Sequence, residues 1–141
     1  MNEDMVIVMQ LVLSAVLGGL VGFLREREKK AAGLRTHMLV SLGSALLMIL
    51  SIYMARFGGD PGRIAAQVVT GIGFLGAGTI IQGGEGVKGL TTAASIWVVS
   101  AVGLAVGAGF YTAALATTVL AVVIIQVLHV AEKYIKHNAN I

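Results

Sequence analysis

Apolar residues in this chain come in long, nearly unbroken runs, without the polar face that a helix or strand in water must show. Residues 5–24, 38–55, 64–81, 89–106 and 109–130 contain no Asp, Glu, Lys or Arg. Each run is long enough, as a helix, to cross a hydrocarbon core of about 30 Å, the shortest with little tilt to spare. The stretch 89–131 is uncharged throughout. As one helix it would extend roughly 65 Å, about twice the core thickness, so it crosses twice and turns near Gly107-Ala108-Gly109. The pattern predicts an all-α polytopic membrane protein with five transmembrane helices, residues 1–141 forming a single domain.

The placement of charge sets an orientation. Arg25, Arg27, Lys29, Lys30 and Arg35 follow the first run, Lys88 follows the third, and Lys133 and Lys136 follow the fifth. Arg56 and Arg63 fall on the opposite side. An excess of Lys and Arg marks cytoplasmic loops, so the N-terminus is expected outside and the C-terminus in the cytoplasm. The acidic start, with Glu3 and Asp4, lacks the basic region of a secretory leader, and the first run reads as a retained span. Composition agrees: 57% of residues are hydrophobic and 12% charged, against about a quarter charged in soluble domains. The net charge of +3 does not point to nucleic acid, because the basic residues flank apolar runs as bilayer anchors do. The absence of cysteine excludes disulfides, thiolate metal sites and cysteine nucleophiles.

Helix boundaries carry local signals. Asp60-Pro61 reads as an N-cap followed by proline at the first helical position. Thr36, and Thr91 or Thr92, can cap the second and fourth helices with a hydroxyl. With 19 glycines and one proline, glycine serves packing here. Gly18-xxx-Gly22 and Gly103-xxx-Gly107 are small-xxx-small pairs that let backbones approach closely. Gly71, Gly73, Gly76 and Gly78 make the third helix smooth. It is expected to be central, either pressed by neighbours or locally broken as in transporters. The match of residues 71–76 to G-x-G-x-x-G lies inside an apolar span and carries no dinucleotide-binding meaning. Short echoes, Gly22-Phe-Leu with Gly73-Phe-Leu and Gly33-Leu-Arg-Thr36 with Gly89-Leu-Thr-Thr92, raise the idea of a two-helix repeat.

Candidate chemistry is sparse. The run from Arg25 to Lys30 alternates in sign, with Glu26 and Lys30 at favourable spacing. It reads either as a solvated helix end drawn to anionic headgroups or as a partner surface. Asp60, Arg63 and Gln67 share one end and one face of the third helix. They form either a structural cap with an interhelical hydrogen bond, or a polar mouth for a cation or proton. One Asp makes a poor dedicated Mg²⁺ site, and metal binding stays open. His37, His129 and His137 lie at span ends or in the tail, and Ser95 and Ser100 have no base nearby in sequence. No catalytic constellation and no cofactor are expected.

The residues Ala32-Gly-Leu-Arg-Thr-His37, Arg63-Ile-Ala-Ala-Gln-Val-Val-Thr-Gly-Ile-Gly-Phe-Leu-Gly-Ala-Gly78 and Gly89-Leu-Thr-Thr-Ala-Ala94 resemble the MgtC/SapB family of bacterial inner-membrane proteins. The resemblance implies five N-terminal spans, followed in some members by a cytoplasmic C-terminal domain, of which this chain is expected to be a short form. It implies roles in low magnesium, acid and host stress, and restraint of the ATP synthase through its membrane sector; older labels speak of magnesium transport. It directs attention to Arg35, Asp60, Arg63, Gln67, Thr91 and Thr92. The expectation is a non-enzymatic regulatory protein of the inner membrane, acting through helix contacts. The alternative is a small carrier or channel for Mg²⁺ or protons. The glycine faces favour a homo-oligomer, with a dimer expected.

Overall fold

The computed structural model describes residues 2–84 and 86–138, with side chains placed through Val127; the side chains of His129 and His137 lie outside the described residues. Five helices form: α1 (Glu3–Arg27), α2 (Leu34–Ala55), α3 (Pro61–Ala77), α4 (Leu90–Gly107) and α5 (Tyr111–Asn138). A short antiparallel ribbon, β1 (Ile81–Gly83) and β2 (Gly86–Lys88), joins α3 to α4, with Ile81 opposite Lys88 and Gly83 opposite Gly86. The helices α1, α2 and α4 are each long and apolar enough to cross a membrane.

Local chemistry explains where the elements begin and end. Glu3 and Asp4 occupy the first turn of α1, and Arg25 and Arg27 the last, each complementing the helix dipole. The chain then closes through Lys29 at φ 53°, and the Lys30 N–H donates to the Arg25 carbonyl. Asp60 caps α3 by accepting the Gly62 N–H at 2.8 Å, with Pro61 opening the helix. The Ser51 hydroxyl donates to the Pro61 carbonyl at 2.6 Å and ties the end of α2 to this turn.

Two other caps differ from the sequence expectation. Helix α2 starts at Leu34, ahead of Thr36, and the Leu34 N–H is met by the Glu26 carboxylate of α1 at 2.9 Å. Helix α4 follows Gly89, which sits in the left-handed region at φ 94°, and Thr91 and Thr92 lie inside the helix without capping it. A tertiary contact in one case and a glycine in the other supply what a hydroxyl was expected to supply. The third helix also ends at Ala77, short of the expected residue 81. The glycines at 83, 84 and 86 turn the chain back as a ribbon, a signal of hairpin type hidden by the apolar Ile80-Ile81 pair.

Helix α4 is the centre of the bundle and touches all four others, whereas among the described residues α3 packs chiefly on α2 and α4. The expectation of a central third helix is therefore overturned, and α3 runs unbroken from Pro61 to Ala77 at the edge. Its glycines explain the outcome. A Cβ at Gly71 or Gly73 would meet nothing within 4 Å; at Gly76 it would make an ordinary 3.6 Å contact with Ala93; at Gly78 its neighbours belong to α3 itself. The other four are tightly held against α2. A Cβ at Gly18 would stand 2.6 Å from the His37 carbonyl oxygen, and one at Gly22 2.8 Å from the His37 Cβ. One at Gly103 would run into the Ser41 carbonyl oxygen, and one at Gly107 would lie 2.5 Å from that of Ala45.

The cross-section is polar and small inside, large and apolar outside. Along α1, Val8, Val12, Val16, Leu20 and Phe23 are exposed, while Ser14, Gly18, Gly22 and Arg25 are buried. That arrangement suits lipid and would aggregate in water, so the chain is a membrane protein. Apolar contacts remain modest: Leu17, Val102, Val106 and Ala114 form one cluster, and Ala32, Val68, Ile72 and Ile96 another.

Close backbone approach should dominate stability. Gly103→Ala is expected to lose about 1–3 kcal/mol through overpacking against the α2 carbonyl. Gly73→Ala should be neutral, or stabilising by up to about 1 kcal/mol through helix propensity. Thermal unfolding of both variants in one detergent tests this, and equal losses at the two sites would remove glycine contact from the account.

Candidate functional site

Because α1 and α4 come so close to α2, the polar side chains of the three helices meet in one buried seam. Arg25, at the last turn of α1, is 3% exposed and reaches across to α4. Its Nη2 donates to the Thr92 hydroxyl at 2.7 Å, and its Nη1 pairs with Glu28 at 3.1 Å. One turn along, His37 of α2 is fully buried. Its Nδ1 lies 2.8 Å from the Gly33 carbonyl and its Nε2 2.9 Å from the Ser95 hydroxyl of α4. The carbonyl can only accept, so Nδ1 carries a hydrogen. The Ser95 hydroxyl also lies 2.8 Å from the Thr92 carbonyl. Ser95 has a single hydroxyl hydrogen, which serves either that carbonyl or His37 Nε2 when the imidazole is neutral.

Deeper in the bundle, Ser44 of α2 and Ser100 of α4 share a hydrogen bond of 2.9 Å. Gln10 of α1 donates to the Val106 carbonyl at 3.1 Å, fastening the far end. The Arg25 Nε and the Ser41 hydroxyl are buried without a protein partner. Among the described residues no group of three His, Asp or Glu side chains is placed to hold a metal ion.

The sequence-predicted residues do not gather in one place. Asp60 and Arg63 are exposed at the start of α3, and no ion pair joins them among the described residues. Gln67 is exposed along a groove of about 540 Å³ between α2 and α3, beside Leu39, Gly43 and Leu47. Thr91 and Thr92 lie at the other end of the bundle, a helix length of about 25 Å away. There Thr92 is buried against Arg25, and Thr91 is exposed on a neighbouring cavity. Arg35 is exposed on the first turn of α2 and lines a cavity with Glu26 and Lys29.

Arg25, His37, Ser95 and Ser100 were missed as members of one site. His37 and Ser95 are 58 positions apart, so proximity in sequence could not pair them. A signal exists nonetheless. Ser, Thr and Gly recur three to five positions apart on α4 (Thr92, Ser95, Ser100, Gly103, Gly107), and the α2 partner face carries His37, Ser41 and Ser44 at spacings of four and three.

This seam lies within a match to known proteins that runs almost from end to end. The MgtC family pattern matches residues 11–134. The chain belongs to the MgtC family. It is 44% identical over 129 residues to the "Putative magnesium transporter YhiD" of Escherichia coli K12, covering 86% of this chain and 60% of that protein. It is 43% identical over 113 residues to "Protein MgtC" of Salmonella typhimurium LT2, covering 80% of this chain and 48% of the relative. For "Protein MgtC" of Brucella abortus the figures are 46% over 111 residues, with 77% and 45% covered. The chain thus spans about half the length of the curated relatives it matches. No solved structure matches it.

The seam of this MgtC-family chain predicts an order of mutational losses. Thr92→Val leaves a buried guanidinium donor without its acceptor and should cost about 1–3 kcal/mol. A double-mutant cycle of Ser44→Ala and Ser100→Ala should show a coupling near 0.6 kcal/mol and no more than about 1.7, as for hydrogen bonds within membranes. A Thr92→Val loss below the serine coupling would mean that Arg25 does not depend on Thr92.

Proposed function

We propose that this chain is a non-enzymatic regulatory protein of the bacterial inner membrane. It acts through helix contacts with itself and with other membrane proteins in adaptation to low magnesium, acid or host stress. In this reading all five helices cross the bilayer, with the N-terminus outside and the C-terminus in the cytoplasm, as the distribution of Lys and Arg supports. The partners expected are the bilayer, a second copy of the chain, and inner-membrane proteins such as the membrane sector of the ATP synthase.

One observation carries the reading: the interior is closed and the edge is open. Between α1, α2 and α4 the backbones meet at Gly18, Gly22, Gly103 and Gly107, leaving no room there for a hydrated ion. At the edge, Gly71 and Gly73 leave the α3 backbone uncovered, the surface a second helix needs for close approach. The contact of His37 with Ser95 does not argue for catalysis, because both side chains are buried away from any substrate.

A second reading, a small carrier or channel for Mg²⁺ or protons, is favoured by the name of the YhiD relative and by the exposed carboxylate of Asp60 at the start of α3. The two separate in proteoliposomes holding only this chain. No saturable Mg²⁺ or proton flux is expected above empty vesicles. Asp60→Asn serves as the control, since Asn caps a helix as well as Asp and the substitution removes charge while sparing the fold. Flux that saturates and disappears in Asp60→Asn would replace regulation with transport.

A further inference from the structure

At the basic end of the bundle a cavity of about 630 Å³ opens between the α1–α2 turn, the ribbon, the start of α4 and the flank of α5. Among the described residues its lining includes Arg25, Lys29, Lys30 and Lys88, against the single carboxylate of Glu28. We propose that this cavity binds a phosphate group, presented by an anionic phospholipid or by a soluble phosphate.

The case begins with Arg25. A guanidinium has five N–H hydrogens in a planar fork suited to phosphate oxygens. Here Nη1 turns to Glu28 and Nη2 to Thr92, while Nε is buried with no protein acceptor. The side chain is 96% buried at the edge of this cavity, so its charge is held in place and weakly screened. Glu28 offsets that charge in part. Lys29 and Lys30 restore the excess; both are exposed on the turn, with Lys29 held at φ 53° by the closure of α1.

The start of α4 adds a second attraction. Thr91 and Thr92 line the cavity, and the N-cap residue, Gly89, has no side chain to cap this helix, so the positive end of its dipole lies beside the same space. Donors therefore converge from the α1–α2 turn and from α4. A tetrahedral phosphate, with oxygens in several directions, meets them better than a planar carboxylate does. Among the described residues Ile124 and Ile125 of α5 add apolar lining, which suits a group attached to an acyl chain.

The test uses the whole chain in neutral detergent, supplied with phosphatidylglycerol or phosphatidylethanolamine of matched acyl chains. Retained lipid is counted by native mass spectrometry. Inorganic phosphate is titrated separately by thermal shift, with chloride as the ionic-strength control. The variant is Lys29→Gln with Lys30→Gln, both exposed and outside the buried seam, and its unfolding temperature without added lipid should equal that of the parent. The parent should retain phosphatidylglycerol in about tenfold preference, and the variant should lose most of it. A thermal shift with inorganic phosphate, absent in the variant and without lipid preference, would assign the site to a soluble phosphate. Equal retention of the two lipids with no phosphate shift, or responses unchanged in the variant, would overturn the proposal.

Discussion

Helix α2 is gripped from two sides by backbones that carry no side chain at the point of contact. Gly18 and Gly22 of α1 press on the turn that holds His37, and Gly103 and Gly107 of α4 press on Ser41 and Ala45. In a bilayer the lipid tails are as apolar as leucine, so burying apolar surface does not bring helices together. Dense packing and interhelical hydrogen bonds must do so, and both need short distances. Removing the side chain where helices cross is the simplest way to obtain them. The bonds from Arg25 to Thr92, from His37 to Ser95 and from Ser44 to Ser100 all span gaps that these glycines make short.

The same constraint sorts the rest of the molecule. Small and hydroxylated residues go inward, where they approach closely and bond to one another. Large apolar ones go outward, where lipid receives them. Arg25 is the exception that marks one end: a buried charge is expensive, and it persists because Glu28 and Thr92 answer it. Helix α3 stands outside this scheme. Its exposed glycines do not grip anything in the described residues, which separates a helix that builds the bundle from one that borders it.

The proposed function rests on the same division: a closely packed interior suits a scaffold better than a passage, while the edge and the basic end are the surfaces it offers to other molecules. The relatives in Escherichia coli, Salmonella and Brucella share this segment and extend beyond its length, so the shared unit is the membrane bundle itself.

The five helices and their approximate limits were legible in the sequence, because long apolar runs without charge are the pattern of a helix buried in an apolar surrounding. The Asp60-Pro61 start of α3 was legible for a similar reason: a cap is a contact between neighbours in the chain. What the tertiary structure alone decided is which glycines pack and which polar residues meet. Gly71 and Gly103 look alike in sequence, yet one faces open space and the other an α2 carbonyl, since helix rotation and neighbour order are set by contacts far apart in the chain. For that reason Asp60, Arg63 and Gln67, adjacent on one helix, did not form the buried site. Arg25, His37, Thr92 and Ser95, spread over three helices, did.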